Sequence, residues 1–196
     1  MKDLKKVLNE IKAKKEIVAE ISKNWVKKHF DIEQRDFFID LLRELKPQYC
    51  LETGFETGTS SATVCAICQP KTMISIGMKS NNLTVADKLY RDYSFQLLIA
   101  DSTKRLTEKF FKFNYPNGID FFFVDGGHSY EVAMSDITSA FPYMNKGAVI
   151  VVDDYYSKIC PIQDVNNAVN DFCNAYNLQM YQVSTNSGKG MAVIEF

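Results

Sequence analysis

Residues 119–124 read Ile-Asp-Phe-Phe-Phe-Val and run straight into Asp125-Gly-Gly-His128-Ser-Tyr130. A nearly unbroken apolar run of this length suits a strand and is too short for a helix. With no polar–apolar alternation, both of its faces need cover, as in a parallel sheet. In open α/β sheets, ligands gather outside the carboxyl ends of the strands. An acid and a histidine separated by flexible backbone therefore stand where such a sheet does its chemistry. The plainer alternative is a strand end whose Asp125 caps the following helix.

The rest of the chain keeps a strand–helix rhythm from residue 49 onward. Strands are expected at 49–52, 73–76, 95–100, 119–124 and 148–152. Helices are expected at 60–68, with Thr59 or Ser60 as N-cap, and at 83–90, 103–111, 131–143 and 164–176. Two last strands, 178–183 and 191–196, flank the glycine-containing stretch 185–190. So short a connection predicts a hairpin, with the final strand antiparallel to the rest. Before the sheet lie two helices. Residues 1–28 carry Leu4, Val7, Leu8, Ile11, Val18, Ile21 and Trp25 at helical spacing, with nine lysines against four acids by residue 30. The second, Ile32–Leu45, stops before Pro47, as the residue preceding proline avoids the helical region. These helices are expected to cover the active edge of the sheet or to form a homodimer contact.

At 196 residues the chain is read as one domain, a helical cap at 1–46 on a core at 47–196. A net charge of −1 gives no overall case for nucleic acid or a membrane. There is no run of transmembrane length and no apolar signal core, so the expected location is cytoplasmic. Five cysteines, an odd number, fit reduced thiols better than a disulfide framework. Cys65 and Cys68 fall inside an apolar helical stretch with no second pair or nearby histidine, and read as buried thiols.

Three further stretches carry chemistry. Glu52-Thr-Gly54-Phe-Glu-Thr-Gly58 follows a strand and opens a helix. Its glycines allow close backbone approach to a ligand, and helix N-terminal amides attract an anionic group. The spacing is neither the dinucleotide fingerprint nor a P-loop; a tight strand-to-helix turn is the alternative. Asp101-Ser102 ends the third strand, where the acid either accepts from a ligand or caps the next helix. Asp153-Asp154 ends the fifth strand. Two adjacent carboxylates there repel unless something neutralises them, and hard oxygen ligands suit Mg²⁺ or Mn²⁺. Should the fourth and fifth strands be neighbours, Asp125 joins them. His128 then serves as general base, as metal ligand, or as a hydrogen-bond partner of its own turn. His29 reads as a surface residue.

Taken together, four phrases resemble the class I S-adenosylmethionine-dependent methyltransferases. They are Leu-Glu52-Thr-Gly54-Phe-Glu-Thr-Gly58-Thr-Ser-Ser, Ala-Asp101-Ser102, Phe-Val-Asp125-Gly-Gly-His128-Ser-Tyr-Glu131 and Val-Val-Asp153-Asp154-Tyr. The nearest branch is the small-molecule O-methyltransferases of catechol and macrolide-sugar type, over residues 49–196. The resemblance implies an α/β, Rossmann-like, doubly wound sheet of seven strands in the order 3-2-1-4-5-7-6. It is mostly parallel, with an antiparallel last strand. It implies S-adenosylmethionine as donor, with Glu52, Gly54, Gly58 and Ser60 around the methionine part and Asp101 and Ser102 by the adenine. Asp125, adjoining the donor, would also bind Mg²⁺ or Mn²⁺ with Asp153 and Asp154, and His128 would be the base. The acceptor would be a small-molecule hydroxyl on a sugar, polyol or phenol.

One departure stands out. The family places an acid at the end of the second strand to hold both ribose hydroxyls, and here that strand ends Ile-Gly77-Met78. A missing acceptor of this kind costs about 1.5–3 kcal/mol of donor binding. Two other functions follow from the same residues: a catalytically inactive binding protein on this fold, or a different metal-dependent enzyme using Asp125, Asp153 and Asp154.

Overall fold

The computed structural model describes residues 32–79, 83–156, 163–186 and 188–196. The lysine-rich stretch 1–28, His29 and Cys160 lie outside them. The elements are α1 (Ile32–Leu45), β1 (Tyr49–Thr53), α2 (Thr59–Cys68), β2 (Thr72–Gly77), α3 (Leu83–Asp92), β3 (Phe95–Ile99), α4 (Ser102–Arg105), α5 (Glu108–Asn114), β4 (Ile119–Val124), α6 (Tyr130–Ala140), β5 (Met144–Asp153), α7 (Gln163–Tyr176), β6 (Met180–Ser184) and β7 (Gly190–Glu195).

The strands form one seven-stranded sheet in the order β3-β2-β1-β4-β5-β7-β6. β7 runs antiparallel to both β5 and β6; the other pairs are parallel. The fold is the Rossmann-like architecture that the strand–helix rhythm predicts. The Phe-Phe-Phe run shows why β4 lacks alternation. Phe121 and Phe123 pack into the core beneath α1 and α2, where Phe38 meets both rings. Phe122 and Val124 enter the opposite core, with Ile137 of α6 and Phe172 of α7. All four side chains are buried, so helices cover both faces of the central strand.

Three boundaries differ from the sequence expectation, each for a local reason. The helix expected at 103–111 is two helices. Asp101 caps α4, accepting from Thr103 N at 3.1 Å, and Thr107 caps α5, accepting from Phe110 N at 3.2 Å. The second cap turns the chain out of helical geometry between them. α6 closes at Ala140, and Pro142 sits in a short 3₁₀ turn. β5 starts early, at Met144, with a register shift between Ile119 and Phe121 of β4. The loop 145–147, expected as a break, is therefore accommodated within the strand.

The order places β1 and β4 side by side, with the chain leaving them toward opposite edges. This is the topological switch point, where an open α/β sheet leaves a crevice at its carboxyl edge.

Candidate active site

A cavity of about 590 Å³ opens over that crevice, of a size suited to a nucleoside carrying an amino-acid arm. Its walls come from four strand ends: Thr53 to Glu56 after β1, Ile76 to Lys79 after β2, Ala100 to Ser102 after β3, and Asp125 to His128 after β4. Backbone bonds stitch these ends together. Gly54 N donates to Ile76 O at 2.8 Å, Asp125 N to Thr53 O at 2.9 Å, and Ala100 N to Gly77 O at 2.9 Å.

Gly54 is the closest approach of the wall. Its φ is +98°, and a Cβ there would fall 1.7 Å from the backbone oxygen of Asp125. No other residue type lets the β1 and β4 turns cross at that distance. Gly126 plays a similar part on the far side, since a Cβ there would sit 3.1 Å from the carboxylate of Asp136.

The acids lie at the carboxyl ends of β4 and β5. Asp125 keeps part of its surface on the cavity, yet burial is the largest cause raising its pKa, followed by the charge of Asp153. Asp153 is buried and is raised in turn by burial and by Asp154. Its Oδ1 accepts from Gln34 Nε2 of α1 at 2.8 Å. Asp154 is held at a φ of +58°, and its Oδ2 lies 3.1 Å from His128 Nδ1. That contact raises the His128 pKa, its largest cause, against partial burial that lowers it. Half-exposed at the cavity mouth, the imidazole is oriented by Asp154 through Nδ1.

Whether these acids suit a divalent cation turns on two observations. Their oxygens are hard donors, and burial, followed by a neighbouring carboxylate, raises the pKa of Asp125 and of Asp153, a crowding that a cation would relieve. Among the described residues, however, no three donors already stand as a cation cage. Asp153 leans on Gln34 and Asp154 on His128. The donor chemistry fits, with Asp125, Asp153 and Asp154 as the residues that would close on the ion.

Residues 51–155, more than half of the chain, match the family described as methyltransferase domain. The chain belongs to that family. Rv0187 from MTB, solved with its cofactor, is 17% identical with a TM-score of 0.68 over 98% of this chain and 88% of that one. TomG, an O-methyltransferase from Streptomyces achromogenes solved with SAM, is 16% identical with a TM-score of 0.65 over 100% and 90%. An O-methyltransferase from Bacillus cereus solved with SAH is 15% identical with a TM-score of 0.64 over 100% and 92%. At these identities the likeness is one of fold. A 40-residue stretch is 50% identical to uncharacterized protein R132 of Acanthamoeba polyphaga mimivirus, covering 20% of this chain and only 18% of that protein.

In this methyltransferase domain the residues singled out from sequence fall into two groups. Gly54, Asp101, Ser102, Asp125 and His128 line the cavity, with Asp153 and Asp154 behind its mouth. Glu52, Gly58 and Ser60 do not line it. The Glu52 carboxylate is fully buried and accepts from the hydroxyls of Ser60, Ser61 and Ser75. Burial raises its pKa and the three serines oppose that. Glu52 thus ties β1, α2 and β2 together behind the glycine turn. Ser60 is spent on that bond, and Thr59 pairs with Thr57, so neither caps α2. Gly58 takes the cap position at φ +76°, packed on the Phe55 ring.

Asp101 serves two ends, capping α4 while facing the cavity. Its carboxylate accepts from Thr103 and pairs with Lys104, and its pKa is lowered, the Thr103 bond being the largest cause. Two tyrosines that flank the site are engaged away from it. Tyr130 donates to Asp171, and buried Tyr155 donates to Asn170. Sequence reasoning missed Gln34, Glu56 and the buried pair Thr53–Asp136. Among the described residues, neither Asp136 oxygen nor Thr53 Oγ1 meets hydrogen-bond geometry, although Ser102 and Thr53 stand near enough to favour the ionised Asp136. Burial dominates and pushes the Asp136 carboxyl up to about 6.

Proposed function

We propose that this chain transfers a methyl group from S-adenosylmethionine to a hydroxyl of a small molecule, with Mg²⁺ or Mn²⁺ assisting. The observation that carries this reading is the His128–Asp154 pair at the mouth of the switch-point cavity, beside the Gly54 turn. Family membership supports the reaction class. The structures of TomG with SAM and of the Bacillus cereus O-methyltransferase with SAH support the donor.

His128 accepts the proton of the acceptor hydroxyl, and Asp154 stabilises the imidazolium that results. The oxygen then forms a bond to the methyl carbon as the carbon–sulfur bond breaks, and the donor leaves as S-adenosylhomocysteine. The glycine turn and the Asp125 loop hold oxygen, carbon and sulfur in line, so positioning supplies much of the rate. A cation held by Asp125, Asp153 and Asp154 would make the acceptor hydroxyl more acidic. Vicinal diols on sugars, polyols or phenols suit such a site, because a second oxygen completes the grip.

The test mixes the protein, methyl-labelled donor and a panel of vicinal diols with and without Mg²⁺. Labelled ether product, lost in His128→Ala and reduced by EDTA, supports the reading. Product formation unchanged by both sinks it, and absence of product with intact donor binding points to a binding protein on this fold.

A further inference from the structure

At the end of β2 the cavity has no side chain, because the residue there is Gly77. The adjoining turn explains the bare position. A Cβ on Gly77 would sit 3.2 Å from Phe55 N, 3.4 Å from Lys79 O and 3.5 Å from Phe55 Cβ. The turn after β1 has moved into the space that a β2 side chain occupies, and nothing larger enters without backbone giving way.

The next residue of that turn is Glu56. It is exposed and lines the same cavity. Its φ is +39°, in the left-handed region that L residues other than Asn and Asp seldom adopt. Strain of this kind persists where surrounding structure holds it and points toward a role for the residue held. In a nucleoside site of this architecture, an acid at the end of the second strand accepts from the ribose hydroxyls. Here the acid belongs to the neighbouring turn, next to the residue that crowds Gly77.

We propose that Glu56 takes over the ribose-binding role that Gly77 leaves open, accepting from the vicinal hydroxyls of the bound nucleoside. This rests on the S-adenosylmethionine reading and names the residue that grips the sugar. A carboxylate accepting from two hydroxyls discriminates against a sugar lacking them, since both hydrogen bonds to the charged group are then lost.

The test is calorimetric titration with two ligands, S-adenosylhomocysteine and its analogue lacking both ribose hydroxyls. Wild type should bind the analogue roughly tenfold to hundredfold more weakly. Glu56→Gln should weaken the parent ligand by a similar factor and leave the analogue unchanged. Glu56→Gly, which suits the left-handed backbone, should give the same pattern and controls for misfolding. Equal weakening of both ligands would assign Glu56 to the amino-acid arm and overturn the proposal, as would no weakening of either. Wild type that fails to bind S-adenosylhomocysteine would overturn the donor reading itself, and this inference with it.

Discussion

Gln34 Nε2 donates to Asp153 Oδ1 at 2.8 Å across 119 residues of sequence, and the bond is buried. Gln34 is fully buried near the start of α1, and its neighbour Glu33 accepts from the backbone of Asn186 beyond β6 at 2.6 Å. The helix before the sheet is therefore fastened by its first turn both to the carboxyl edge of the sheet and to the terminal hairpin.

Removing that donor strands a buried carboxylate. Gln34→Ala should lower stability by about 2 kcal/mol, in the range for hydrogen bonds to charged groups. Asp153→Asn should cost less on the Gln34→Ala background than alone, because the pair no longer exists to be broken. Urea unfolding of the four proteins of this double-mutant cycle reads the coupling. Additive losses would mean that the two side chains do not share their energy.

Gly54→Ala tests the crossing of the β1 and β4 turns. The φ of +98° and a Cβ 1.7 Å from Asp125 O leave no unstrained solution. Conformation alone costs roughly 1–2 kcal/mol, and displacement of the Asp125 loop adds to it. Thermal melting should show the loss, and S-adenosylhomocysteine should no longer raise the melting temperature. A variant that melts like wild type and still responds to the ligand would contradict the crossing.

The legible parts of this architecture are those written locally. The double-faced burial of β4 is visible in Phe121 to Val124, and the antiparallel finish in the short connection around Gly188. Gly54 is legible too, because a glycine between a strand and a helix announces close approach. The unread parts depend on distant partners. Glu52 looks like a ligand contact until Ser60, Ser61 and Ser75 are folded onto it from 8, 9 and 23 residues away. Gln34 carries no signal at all until α1 lies across the end of β5. The break between α4 and α5 was readable, since Thr107 before Glu108 is an ordinary N-cap pattern.

Buried acids set the pH dependence of stability. Burial pushes Asp136 up to about 6, above its ordinary range, so the folded state holds that proton more tightly than the unfolded chain. Its stabilising contribution is complete below the unfolded value, near pH 4, and is lost as pH rises through about 6. The loss amounts to roughly 3 kcal/mol by pH 8. Asp125 and Asp153 shift in the same direction, so the protein should be more stable at pH 5 than at pH 8. In Asp136→Asn the difference between pH 5 and pH 8 should shrink by about half that amount, roughly 1.5 kcal/mol, because at pH 5 part of the contribution is already lost, read from urea midpoints. A difference as large as in wild type would mean that Asp136 is charged in the folded state.

The same electrostatics should be visible at His128. Asp154 holds its imidazole in the charged form more firmly than solvent does, which raises its pKa. A base must be unprotonated to work, so methyl transfer should rise with pH through that raised value. Asp154→Asn removes the negative partner and should lower the His128 pKa, carrying the acid limb of kcat/KM to lower pH. His128→Ala should lower kcat by roughly 10²–10⁴-fold while leaving S-adenosylhomocysteine affinity unchanged. Proton NMR follows the titration directly without substrate or cation, since the chain has only two histidines and His128→Ala assigns the remaining signal to His29. An imidazole whose titration is the same in wild type and Asp154→Asn would mean that the 3.1 Å contact does not persist in solution. The base would then have to be oriented by some other group.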